Sequence, residues 1–168
     1  MAPRGFFGKL RDALVPSSAT QVARAMQLQA RMFADSYNTA YSLSDEVSPL
    51  TGKKRPYDFS IESLAEVDQL IDDLFRGSGL AEAVDPALFV SGAGAYFGEV
   101  IARSLGGQWA VSEQGPEATR PQVALTAANG VTLVEAPFDR VAERMRSKEA
   151  PRLEASYRNL QARQAKGE

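Results

Sequence analysis

Glu99 is a carboxylate in a place where a charge is costly. It lies in Ser91-Gly92-Ala93-Gly94-Ala95-Tyr96-Phe97-Gly98-Glu99-Val100-Ile101, closed by Leu105-Gly106-Gly107-Gln108-Trp109. A buried glutamate must be paired or hydrogen-bonded, or its pKa rises until it can serve as an acid or base. Arg140, Arg144, the Trp109 indole N–H and backbone N–H groups are its candidate partners. Asp139-Arg140 and Glu143-Arg144 could clamp a phosphate or carboxylate, although pairing three or four residues apart on one helix explains them as well. Trp109 is either a ligand platform or core. The candidate binding residues are therefore Glu99, Trp109, Tyr96, Arg140 and Arg144. For Glu99 a fixed structural partner is preferred over catalysis.

Two absences narrow the chemistry. The 168 residues include no histidine and no cysteine. That removes the Ser-His-Asp triad, thiolate nucleophiles, Cys-type metal centres and most zinc sites. An enzyme here would depend on carboxylates, Lys, Arg, Tyr, Ser or Thr, and a metal would be a hard cation held by oxygen. No catalytic set, metal site or cofactor is expected. The glycines do not form a dinucleotide loop, because they fall inside a helical pattern rather than between a strand and a helix.

The elements that must position these residues follow from periodicity. Pro86 suits the first turn of a helix over about 86–105. Each glycine inside it costs about 1 kcal/mol relative to alanine, so close approach of another backbone is expected along Gly94 and Gly98. Upstream, Val22, Met26, Met32, Phe33, Tyr37 and Tyr41 mark a long helix over about 20–41. Residues 42–57 read as a loop, free to move. A helix over 61–75 buries Ile61, Leu64, Val67, Leu70, Ile71 and Leu74. Glu62, Glu66 and Asp73 are read as its solvated face, with Asp68 and Asp72 at the edges. Gly77-Ser78-Gly79 ends it. After Gly106-Gly107 the period becomes two, giving strands over about 108–112, 122–127 and 131–135, with a loop over 115–121. Asn129-Gly130 is a strong hairpin signal. Pro137-Phe138-Asp139 opens another helix, with Val141 and Met145 facing inward, and a last helix runs over about 151–164.

Charge is unevenly spread. Residues 1–31 carry net +4, residues 32–138 net −9 and residues 139–168 net +3, for a total of −2. No basic stripe with interleaved aromatics suggests nucleic acid. No run reaches the ~20 apolar residues of a membrane span, and the start has no signal-peptide core. Residues 4–15, with Phe6, Phe7, Leu10 and Leu14, offer at most a weak interfacial membrane contact.

The segment from about Ser60 to Arg144 resembles a family of bacterial domains of unknown function. The likeness rests on the helix Gly94-Ala95-Tyr96-Phe97-Gly98-Glu99-Val100, the strand Gly107-Gln108-Trp109, a hairpin and the Pro137–Arg144 segment. The resemblance implies an α+β domain and carries no activity or catalytic residue.

The expected fold is α+β, with four or five helices on one face of a three-stranded antiparallel sheet. Residues 1–17 are an extension and 18–168 a single domain. The expected function is a cytoplasmic, non-enzymatic binding or regulatory module acting through a protein partner. An antitoxin-like role, with acidic side chains meeting a basic toxin, is one version of it. The alternatives are a small enzyme using Glu99 with Arg140 or Arg144 near Trp109, and a homodimer built on the Met- and Tyr-bearing helix.

Overall fold

The computed structural model describes residues 18–77, 84–111 and 120–167. The readings made for residues 4–15, for Ser78-Gly79, for Ser112 and for most of the 115–121 loop lie outside the described residues. Five helices and three strands make an α+β fold: α1 (Ser18–Leu43), α2 (Ser63–Asp72), α3 (Pro86–Leu105), β1 (Gln108–Val111), β2 (Pro121–Thr126), β3 (Thr132–Glu135), α4 (Pro137–Arg146) and α5 (Leu153–Lys166). Helix α2 runs into a π-helical turn, Asp73–Gly77.

The sheet is an antiparallel meander of order β1-β2-β3. Trp109 stands opposite Val123, Val123 opposite Glu135, and Leu125 opposite Leu133. Those five side chains are buried beneath the helices, while Val134 is 52% exposed on the other face. Alternation in β3 therefore sorts Leu133 and Glu135 inward and Thr132 and Val134 outward. The Asn129-Gly130 signal works as expected: Gly130 adopts φ +82°, and the Asn129 side chain accepts from the Val131 N–H at 2.9 Å.

Helix α3 is the central element. Asp85 caps it, accepting from the Ala87 and Leu88 N–H groups, and Gly106 closes it at φ +70°. Residues 93–101 of α3 are all buried. Helix α1 crosses it antiparallel: Gln29 donates to Ser91 at 2.6 Å and Tyr37 meets Phe89, while Ala23 lies near Arg103. An aromatic core fills this contact, with Phe33 touching Tyr37, Tyr57, Phe89 and Tyr96.

The glycines of α3 serve two sides. A side-chain carbon at Gly92 would meet the Phe33 ring of α1, one at Gly94 would meet Phe138 of α4, and one at Gly98 would overlap the Trp109 ring of β1. The expected close approach of another backbone is met at Gly94, by the Phe138 Cα, and not at Gly98; the other nearest neighbours are side chains, mainly aromatic.

The structure departs from the pattern expected of the sequence at several places. Helix α1 extends to Leu43, into the segment read as loop. The segment that follows is folded on itself: Ser48 Oγ accepts from the Leu50 and Thr51 N–H groups, both at 3.2 Å, and the Gly52 N–H donates to the Ser48 carbonyl at 2.9 Å. Met32 is exposed rather than core. The largest difference concerns α2. Glu66 and Asp68 are not solvated; they are 1% and 0% exposed. The 48–57 segment covers α2 on one side through the bond from Ser48 to Glu66, and α4 and α5 cover it on another.

Candidate functional site

Gly98 and Trp109 together place the Glu99 carboxylate. With no side chain at Gly98, the Trp109 indole lies flush on α3 and its Nε1 donates to Glu99 Oε2 at 3.2 Å. One helical turn on, Arg103 Nε donates to Glu99 Oε1 at 2.7 Å. Both carboxylate oxygens are engaged and the charge is matched. The burial of the pair is lopsided: the Glu99 side chain is 4% exposed and that of Arg103 is 41% exposed. The acid is sealed beneath its arginine.

The arginine is held on a second side. Its guanidinium carbon sits 4.0 Å from the centroid of the Phe59 ring, a cation–π contact. Phe59 is stacked in turn on Tyr96 at 4.7 Å. Its backbone has φ +63°, a left-handed conformation costing an aromatic residue about 1–3 kcal/mol. The Tyr96 hydroxyl accepts the Phe59 N–H at 2.9 Å and bonds the Ser63 hydroxyl at 2.7 Å, which holds that backbone in place. Burial pushes the Tyr96 pKa up to about 12, against the opposing pull of its Ser63 and Phe59 hydrogen bonds. Trp109, Glu99, Arg103, Phe59, Tyr96 and Ser63 thus form one continuous chain of contacts.

Of the five candidate residues, Glu99, Trp109 and Tyr96 belong to this chain. Neither Arg140 nor Arg144 joins it. Arg140 Nε donates to Glu135 Oε1 at 2.8 Å, tying α4 to β3. Arg144 is 3% exposed; it donates from Nε to Asp68 at 3.0 Å and from Nη2 to Asp72 at 2.9 Å. Asp68 also accepts the Leu153 N–H at 2.9 Å, fixing the start of α5. Burial raises the Asp68 pKa in spite of the Arg144 charge beside it. Sequence reasoning overlooked Arg103 and Phe59. The signal for Arg103 was its i,i+4 spacing from Glu99; Phe59 had none, because its position depends on a left-handed turn at a residue type that rarely makes one.

Two depressions flank α1. One, of about 470 Å³, is lined by Ala23, Gln27, Glu99, Arg103, Gln108 and Trp109, among others. The other, of about 510 Å³, lies between α1 and the start of α3 and is lined by Met32, Phe33, Tyr37, Val84, Leu88 and Phe89, among others. Among the described residues, no three or more carboxylates gather to hold a metal ion, and no helix is long and apolar enough to cross a membrane. No family model, no curated protein and no solved structure matches the chain.

Proposed function

We propose that this chain is a cytoplasmic, non-enzymatic binding module that engages a protein partner through the groove between α1 and α3. One observation carries the reading. Leu28 and Met32 on α1 are each 61% exposed and Leu88 on α3 is 71% exposed, and Met32 and Leu88 border the 510 Å³ groove. Leu28 lies one turn from Met32 on the same helix face. Clustered apolar side chains beside a concave surface mark interaction sites far more often than single exposed residues do. The groove suits an apolar helix face or loop laid between two helices.

The catalytic alternative draws less support. Both oxygens of Glu99 are occupied, and Arg140 and Arg144 are engaged elsewhere. The acidic version of partner binding loses two of its carboxylates to the interior, since Glu66 bonds Ser48 and Asp68 bonds Arg144, and Asp72 is paired with Arg144 and Arg152; Glu62 and Asp73 remain exposed.

The test compares the wild-type protein with a Leu28→Glu, Met32→Glu, Leu88→Glu variant as bait in extracts of the source cell. All three positions are exposed, so the melting temperature should hold. The expected result is one protein retained in near-equal amount by the wild type and reduced roughly tenfold or more by the variant. Identical captures would overturn the reading. A monomer–dimer equilibrium in sedimentation, abolished by the same substitutions, would make the partner a second copy of this chain.

A further inference from the structure

The cleft beside Arg103 is independent of the groove just described, and its chemistry is different. Arg103 Nε is bonded to Glu99 and its guanidinium face is covered by Phe59. Among the described residues its two terminal nitrogens have no hydrogen-bond partner, and the side chain is 41% exposed. An arginine in free solution must lose its rotamer freedom to grip a ligand. Here that freedom is already restricted by the carboxylate, the ring and the strained backbone that presents the ring. The fork of terminal N–H donors is the part left over, and that geometry matches a carboxylate or phosphate.

The rest of the cleft agrees. Among the described residues that line it, the ionisable ones are Glu99 and Arg103, and of these the solvent meets chiefly the cation. Gln27 and Gln108 also line it and contribute amide donors of the kind that support an oxyanion. Trp109 and Ala23 supply apolar wall. At about 470 Å³ the space admits a small molecule or the end of a peptide. We propose that this cleft is a binding site for a small oxyanion, a carboxylate or phosphate group received by Arg103 with help from Gln27 and Gln108.

Trp109 is the only tryptophan, so its indole N–H gives a single assignable NMR signal, and that proton is bonded to the acid that anchors Arg103. The experiment titrates the full chain with inorganic phosphate and, separately, with succinate at constant ionic strength, following the Trp109 indole and Arg103 Nε–H signals. Saturable shifts of both signals are expected. Saturation by phosphate alone or by succinate alone would identify which oxyanion the site takes. Arg103→Gln should abolish the response, but it leaves Glu99 without its cation and so tests folding as well. Gln108→Glu avoids that difficulty: the residue is exposed, the Glu99–Arg103 pair is untouched, and a carboxylate at the rim should weaken binding roughly tenfold or more. No saturable shift with either anion up to roughly 50 mM, far above millimolar affinity, would overturn the proposal. So would a Gln108→Glu variant that binds as the wild type does.

Discussion

At Glu99 the same carboxylate serves two donors of different worth. The Trp109 N–H is buried with it and has no other acceptor among the described residues, whereas Arg103 is partly solvated and can return to water. Glu99→Gln keeps an acceptor oxygen for the indole and should cost only about 1 kcal/mol. Glu99→Ala strands a buried donor and opens a cavity, and should cost about 2–3 kcal/mol. Chemical denaturation of both variants checks the difference; equal losses would mean that the arginine rather than the indole carries the stability. Tyr96 gives a pH-dependent test. Its folded pKa of about 12 lies above the ordinary 10.0, so it contributes stability that is complete below pH 10 and declines as the pH rises toward 12. Tyr96→Phe should lower stability at neutral pH by about 1–2 kcal/mol and flatten the decline between pH 10 and 12. Folding free energies measured across that window decide it.

At the scale of elements, α3 shows how a helix accepts poor propensity in exchange for fit. Gly98→Ala gains about 1 kcal/mol of helix propensity, yet its new methyl group would occupy the space of the Trp109 ring. The aromatic ring cannot yield without losing its bond to Glu99. The variant should lose about 1–3 kcal/mol net, and its Trp109 fluorescence should shift toward that of exposed indole. A variant as stable as wild type would show that the indole has room to move. The limits of α3 were legible in the sequence, since Pro86 and Gly106 act locally at its two ends. The hairpin was legible through Asn129-Gly130 for the same reason. Helix α2 was not. Its apolar spacing correctly reported Leu64, Val67 and Ile71, but periodicity describes one buried face only. Glu66 and Asp68 are buried by neighbours far along the chain, Ser48 on one side and Arg144 on the other. Which arginine answers which acid is decided by tertiary packing, and the choice of Arg140 and Arg144 for Glu99 failed for that reason.

Taken whole, the molecule uses most of its buried charge for holding its layers together. Arg144 joins α4 to α2, Arg140 joins α4 to β3, and Glu99 joins α3 to β1 through Trp109. Facing solvent are, among other groups, the apolar rim of Leu28, Met32 and Leu88 and, nearer the start of α1, the arginine buttressed by Glu99 and Phe59. We propose that the rim of Leu28, Met32 and Leu88 meets a protein partner in the cell. Photo-crosslinking in living source cells tests it most directly. A photoreactive residue is placed at Met32, at Leu88 and, as a control, at Val134, which is comparably open on the outer sheet face. Positions 32 and 88 are expected to capture the same discrete protein, and position 134 is not. No discrete adduct from positions 32 and 88, or the same adducts from all three positions, would contradict it.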